Sequence, residues 1–126
     1  MFKNSSAFSS FAVKDLQQAK NFYTEVLGLE VTDNPMGLIE LNITGSNNVL
    51  KYPKPDHEPA TFTVLNFPVP NIKEAVDSLI EEGVVFEQYA GAIQTDEKGI
   101  CRNEGGPNIA WFKDPAGNIL SVIEEK

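Results

Sequence analysis

Two stretches of the chain carry apolar residues at helical spacing, and each begins with a capping residue and ends at a glycine. In the first, Asp15 precedes an apolar stripe that runs to Gly28, and in the second Asn71 precedes a stripe that runs to Gly83. Asp and Asn accept hydrogen bonds from the first backbone N–H groups of a helix, and glycine adopts the left-handed conformation that ends one. The pattern therefore predicts two helices of about three turns each.

Extended segments surround both predicted helices, because apolar, β-branched and aromatic residues are concentrated there. One strand precedes each helix, at 8–13 and at 61–69, and three strands follow it. The following strands are Leu29–Thr32, Leu38–Ile43 and Asn48–Tyr52 in the first half, and Val84–Tyr89, Ile109–Phe112 and Ile119–Glu124 in the second. The fold class predicted is therefore α+β, with two tandem βαβββ modules.

This repeated order divides the chain into two modules of one domain, residues 1–126. Module one covers about residues 6–52, a proline-rich connector covers 53–60, and module two covers about 61–126. A polar insertion around Gln94 to Gly106 makes the second copy longer. A helix on one face of a sheet leaves the other face free, so we expect the two modules to share a pocket between their free faces.

Composition and charge exclude several classes of function. Asp and Glu number 18 against 10 Lys and Arg, and the net charge of −8 repels nucleic acids and anionic membranes. The single Cys101 cannot form an intrachain disulfide or supply the thiolates of a structural zinc site. No segment approaches the ~18 apolar residues of a membrane span, and the N-terminus lacks the apolar core of a signal peptide. We therefore expect a cytoplasmic protein with no nucleic-acid or membrane partner.

Three groups of residues carry a resemblance to a known family. They are Val13–Leu16 with Asn21–Tyr23 and Val26–Leu29, then Asn71–Ala75 with Glu82–Val84, and finally Phe112–Asn118. In the order of these motifs, the chain from about residue 8 to 124 resembles the vicinal oxygen chelate superfamily of glyoxalase I, fosfomycin-resistance proteins, extradiol dioxygenases and bleomycin-resistance proteins. The resemblance implies a curved, partly open mixed sheet around a central pocket, and it implies a homodimer.

The metal-binding members of that superfamily carry one ligand on the first and one on the last strand of each module. The resemblance assigns these four positions to Phe8, Lys51, Val64 and Ser121. Divalent metals in such sites bind imidazole or carboxylate groups, and none of the four side chains offers either. The chain also has one histidine, His57, whereas the iron site of a dioxygenase needs two. We therefore expect a pocket without a metal ion or another cofactor.

Alternation along the strands assigns side chains to the faces of the expected sheet. If Phe8 faces the pocket, Ser10 does as well and Phe11 packs against the helix, whereas Lys51 faces the pocket from the last strand of module one. The result is a mostly apolar cavity with a few polar groups, which is typical of small-molecule sites. The candidate ligand-binding residues are Phe8, Ser10, Lys51, Val64, Asn66, Trp111 and Ser121.

Three functions stay open on the sequence. The first is a metal-independent protein, similar to glyoxalase and bleomycin-resistance proteins, that binds a small molecule in the cavity between the modules. The second is a metal-free isomerase or lyase in which a buried Lys51, a weak catalytic candidate, acts as base or nucleophile. The third is a metal-dependent lyase of the glyoxalase type, which the replaced ligands oppose.

Overall fold

The computed structural model describes residues 1–124 and divides into two compact units, Met1–Glu58 and Pro59–Lys126. Residues 125 and 126, which the predicted second module includes, lie outside the described residues. Each unit has the element order β-α-β-β-β and a four-stranded mixed sheet of its own. The fold is therefore α+β with two βαβββ modules, as predicted.

Module one begins with strand β1 and helix α1, and three further strands follow. Their bounds are β1 Ser10–Val13, α1 Leu16–Asn21, β2 Glu30–Asn34, β3 Leu38–Asn42 and β4 Val49–Pro53. The strand order in the sheet is β1-β4-β3-β2, with β1 parallel to β4 and the other neighbours antiparallel. The antiparallel strands are consecutive and need short connections, whereas the parallel pair needs a longer crossover that includes the helix.

Helix α1 starts at the predicted cap, where a carboxylate oxygen of Asp15 accepts a hydrogen bond of 3.0 Å from Gln18 N. The helix then widens into a π-helical turn over Phe22–Val26, and Leu27 N donates to the carbonyl five residues before it. The chain leaves the turn at Gly28, whose φ of +69° suits a residue without a Cβ. The predicted helix is present, and its second half is π-helical, a form found mostly as single turns.

Module two repeats this order with a longer connection after its helix. Its elements are β5 Thr63–Val69, α2 Ile72–Glu81, β6 Ile100–Cys101, β7 Asn108–Lys113 and β8 Ile119–Glu124. The strand order is β5-β8-β7-β6, and β5 runs parallel to β8 with an irregularity between Thr63 and Leu65. The predicted cap of α2 is present, because the side chain of Asn71 accepts a 3.0 Å hydrogen bond from Glu74 N.

The strand predicted over Val84–Tyr89 is wrong, and β6 takes its place at the edge of the sheet. Glu87 N donates a hydrogen bond of 2.8 Å to Trp111 O, but the segment forms no ladder of strand hydrogen bonds with β7 in the described residues. The other end of β7 pairs with β6 instead. Val84 and Phe86 are buried, as apolar residues should be. Their pattern predicts burial, but it does not specify which segment supplies the hydrogen bonds of the ladder.

The core of each unit lies between its helix and one face of its sheet. In module one, Ala19 and Tyr23 are buried with strand residues such as Leu41, and in module two Val76 is buried with Phe112. In the described residues, each unit packs its helix against one face of its sheet, so side chains on the other face can line a binding site. No helix within residues 1–124 combines the length and the apolar character that crossing a bilayer requires.

Candidate functional site

A cleft of about 530 Å³ opens in the second unit on the face of the sheet opposite α2. We call it the module-two cleft. Its volume lies within the range of ~300–1,000 Å³ that is usual for ligand pockets. Three aromatic residues line it: Trp111 from the sheet, Tyr89 from a loop and Phe62 at the rim. The other lining residues are small or aliphatic: Thr61, Thr63, Ala90, Ala92, Ile93 and Ile119.

The indole of Trp111 forms a fixed wall of the module-two cleft. Its Nε1 donates a hydrogen bond of 3.1 Å to Thr63 Oγ1, and the ring of Tyr89 packs edge-on against it with centroids 5.5 Å apart. Because the polar edge has a partner and Tyr89 fixes the ring from the side, the orientation of the indole is held. Phe62 and Ile93 remain 67% and 48% exposed and extend the apolar surface toward solvent. The cleft therefore presents a held aromatic wall and an open apolar rim.

The loop that carries Tyr89 is closed on itself and anchored to helix α2. Tyr89 N donates to Thr95 Oγ1 at 2.8 Å, and Thr95 N donates to Tyr89 O at 3.1 Å. Further along, Lys98 Nζ lies 2.6 Å from an Asp77 carboxylate oxygen, and Lys73 pairs with the same residue at 3.6 Å. The hydrogen bond from Lys98 lowers the pKa of the Asp77 carboxyl. Partial burial acts in the opposite direction, but the positive charges of Lys98 and Lys73 lower the pKa further.

Three of the predicted site residues lie side by side across neighbouring strands of module two. Ser121 on β8 is the register partner of Asn66 on β5 and of Trp111 on β7. Ser121 is fully buried, and its hydroxyl donates a hydrogen bond of 2.5 Å to Asn66 Oδ1. Of these three residues, Trp111 lines the module-two cleft. Val64 is half-buried at the irregularity of β5 and is not among the residues described as lining the cleft.

A second cleft, of about 380 Å³, lies in the first unit, and we call it the module-one cleft. Phe8 lines it and is 62% exposed. Ser10 is exposed and is the register partner of Leu50, which also lines the cleft. The residues around this cleft are mainly polar: Ser6, Glu40, Ser46, Asn47 and Asn48, together with Phe8 and Leu50.

Lys51 faces the helix side of its sheet, and the prediction that it faces the pocket is wrong. Its side chain is fully buried, with Nζ 2.5 Å from the centroid of the Phe11 ring and 4.5 Å from that of Tyr23. Phe11 is the register partner of Lys51, so both side chains project from the same face. The side chains of neighbouring residues in a strand point to opposite faces of the sheet, so the side chain of Leu50 lies on the cleft side. An error of one residue in the position assigned to the site on β4 therefore moves the predicted side chain to the opposite face of the sheet.

The four positions that the resemblance assigns to metal ligands do not fit a metal ion. Phe8 and Val64 have no donor atom, and the ammonium of Lys51 repels a cation. The hydroxyl of Ser121 is bonded to Asn66 and is a poor substitute for a carboxylate. Throughout residues 1–124, no three His, Cys, Asp or Glu side chains come together as metal ligands would. No reaction step through a metal ion follows from these residues.

Comparison with known families agrees with this fold. The model of the Glyoxalase/Bleomycin resistance protein/Dioxygenase superfamily matches residues 7–122. The chain belongs to this superfamily. The resemblance inferred from the helix caps and turns is thereby confirmed. None of the curated proteins matches this superfamily member significantly.

Solved structures of other proteins share the fold at low sequence identity. TnmS3, an antibiotic binding protein from a Streptomyces species, is 20% identical, has a TM-score of 0.70, and the match covers 98% of both chains. Lactoylglutathione lyase from Agrobacterium tumefaciens is 21% identical with a TM-score of 0.70, over 97% of this chain and 96% of its own. The fosfomycin resistance protein FosX from Listeria monocytogenes is 14% identical with a TM-score of 0.71, over 95% and 92%. Identities this low show the fold alone.

Proposed function

We propose that this superfamily member binds a small, largely apolar and aromatic molecule in the module-two cleft, without a metal ion. The observation that carries the proposal is the Trp111 indole, held by Thr63 and Tyr89 at the wall of a cavity of about 530 Å³. Such a cavity has the composition of a small-molecule site, mostly apolar with a few polar groups. The antibiotic binding protein of the same fold supports a binding function.

The positions of the candidate catalytic groups favour binding over catalysis. A catalytic base has to come within hydrogen-bond distance of its substrate. Lys51 is buried against two aromatic rings on the helix side of its sheet, and the Ser121 hydroxyl donates to Asn66. Within residues 1–124, the residues that line the module-two cleft supply hydroxyl groups and aromatic rings, and no carboxylate, lysine or histidine is among them. A metal-free isomerase using Lys51 and a metal-dependent lyase are the alternatives that experiments must exclude.

The fluorescence of Trp111 reports on this cleft directly, because the chain has one tryptophan. We expect at least one of a panel of planar compounds (indole, naphthalene and acridine derivatives) to change its emission saturably and to raise the melting temperature. Phe62→Ala should weaken this binding about two- to tenfold, since an aromatic contact contributes ~0.5–1.5 kcal/mol. Phe2→Ala is the matched control, because Phe2 is similarly exposed, at 79%, and lines neither cleft.

Three kinds of result would contradict the proposal. The first is a panel in which no compound saturably changes the Trp111 emission, or in which Phe2→Ala and Phe62→Ala weaken binding equally. The second is a stoichiometric content of nickel, zinc, manganese or iron in the purified protein, which would favour the metal-dependent lyase. Turnover that is lost in Lys51→Met while binding is retained would favour the isomerase.

We further propose that the protein acts in the cytoplasm as a homodimer and has no nucleic-acid partner. The resemblance supports the dimer, and the net charge of −8 opposes binding to nucleic acid. Light scattering should give a mass near twice the 13.9 kDa of the chain. A mass of one chain at micromolar concentration would contradict the dimer.

A further inference from the structure

We propose that the module-one cleft binds an organic ammonium ion, that is, a small amine with an apolar substituent. The two clefts share no residue, so this inference does not depend on the function proposed for the module-two cleft. The module-one cleft combines three features that suit such a cation: the carboxylate of Glu40, the ring of Phe8 and the aliphatic side chain of Leu50.

The register of the sheet brings these features to one face. Glu40 on β3 is the partner of Leu50 on β4, and Leu50 is the partner of Ser10 on β1. Partners in neighbouring strands project from the same face, and their side chains lie within contact distance. Phe8 precedes Ser10 by two residues, and in an extended chain side chains two residues apart point to the same side. The carboxylate and the aromatic ring thus border the same cleft, with the leucine between them.

The other wall of the cleft is a loop that is tied to the segment before β1. Asn47 Nδ2 donates a hydrogen bond to Ala7 O. Within the loop, Ser46 N donates to Ile43 O at 3.1 Å, and Ser46 Oγ donates to Asn47 O at 3.0 Å. These bonds hold the two sides of the cleft in place around a volume of about 380 Å³. That volume is near the lower end of the usual range for ligand pockets and suits a small amine.

Glu40 is the one charged side chain that lines this cleft in the described part of the chain. Its Oε1 accepts a long hydrogen bond of 3.4 Å from Asn34 Nδ2, and no ion pair within residues 1–124 involves it. A carboxylate has about four acceptor sites, so most of its capacity remains for a ligand. Lys51, the nearest lysine in register, projects from the opposite face of the sheet.

The chemistry of the cleft therefore selects for positive charge next to an apolar group. A carboxylate forms short, strong hydrogen bonds with an ammonium group. The face of an aromatic ring attracts the same cation through its quadrupole, and Phe8 is 62% exposed and open to such a contact. Leu50 can contact the apolar substituent of the amine. An anion would face repulsion from Glu40 and from a net charge of −8.

The experiment is calorimetric titration of the full chain with 2-phenylethylammonium chloride and, separately, with 2-phenylethanol. The two probes share a ring and a chain and differ in charge. We expect the ammonium to bind at least about tenfold more tightly than the alcohol, with an affinity that falls as the salt concentration rises. Glu40→Gln keeps the size of the side chain and removes its charge, so it should weaken ammonium binding about tenfold or more and leave the alcohol unchanged.

Glu30→Gln is the matched control, because Glu30 is exposed on β2, changes the net charge equally and does not line the cleft. Its affinity for the ammonium should stay within about twofold of the wild type. Phe8→Leu should weaken the ammonium about two- to fivefold through the lost ring contact. If Glu40→Gln does not fold, Glu40→Asp withdraws the carboxylate by one methylene and should also weaken the ammonium. Equal weakening in Glu30→Gln, no preference for the ammonium, or no saturable ammonium binding overturns the proposal.

Discussion

Gly99 marks a close approach between the loop of the module-two cleft and the core, and replacement by alanine tests how this loop is held. Its φ is +87°, in the left-handed region that side chains rarely occupy. A Cβ at this position would lie 2.7 Å from Phe86 Cβ and 3.0 Å from Glu87 O. Both atoms belong to the backbone or lie next to it, so they cannot move away by a simple rotation of a side chain. We therefore expect Gly99→Ala to destabilise the protein in two ways.

The expected magnitude follows from these two contributions. The left-handed conformation costs a residue with a side chain ~1–2 kcal/mol. The added methyl group also pushes Phe86 against Phe112, whose ring stands edge-on to it at a centroid distance of 5.5 Å. Inserting a group into a packed core of this kind costs ~1–3 kcal/mol. The sum, about 2–5 kcal/mol, is a large part of the ~5–15 kcal/mol by which most domains are stable.

Urea denaturation followed by the fluorescence of Trp111 measures this change. Gly83→Ala is the matched control, because Gly83 has a similar φ of +94° and an added Cβ would lie within 4 Å of nothing beyond its own chain neighbours. The control should lose ~1–2 kcal/mol from its backbone alone. We expect the free energy of unfolding of Gly99→Ala to fall by ~1–3 kcal/mol more than that of the control, because only the methyl group at position 99 clashes with Phe86. Equal losses in the two variants would refute the close approach as the cause.

The ion pair at Asp77 and the cap at Asn71 lead to two further expectations. Because Lys98 lowers the pKa of Asp77 in the folded state below 3.8, this carboxylate stabilises the fold above that pH and loses its effect as the pH falls through the lowered pKa. The urea midpoint of Asp77→Asn should therefore lie below that of the wild type at pH 7 and converge with it in acid; an unchanged midpoint at pH 7 would rule this out. Asn71→Ala should cost ~1 kcal/mol of unfolding free energy by removing the acceptor for Glu74 N, whereas Asn71→Asp keeps an acceptor and should cost less. Equal stabilities of these two variants would show that the cap contributes nothing.

Features that depend on neighbours in the chain were determined by the sequence alone. The caps at Asp15 and Asn71 each accept a hydrogen bond from the N–H three residues later, so a short segment contains the whole interaction. The glycines that end the helices could also be predicted from the sequence, because a positive φ depends on the residue type at a single position. Because both copies carry these signals in the same order, the two βαβββ modules and the superfamily could be predicted.

The face that Asn66 and Ser121 share was also predictable, and the face of Lys51 was not. Asn66 and Ser121 share a face as their alternation predicts. On β4, Val49, Leu50 and Lys51 follow one another, and both faces of the sheet can accept an aliphatic residue there. A pattern with period two leaves the face undefined when the register is uncertain by one residue. Packing against Phe11 and Tyr23 decided that Lys51 lies on the helix side.

The module-two cleft itself was decided by tertiary structure. The sequence placed Trp111 among the candidate ligand-binding residues, but its hydrogen-bond partner Thr63 is 48 residues away along the chain. Tyr89 was predicted to lie in a strand, and it lies instead on a loop that closes on Thr95 and packs against the indole. Contacts between distant segments depend on how whole elements pack and which edge of a sheet is free. Local patterns of apolar residues specify burial, and only the folded chain specifies these partners.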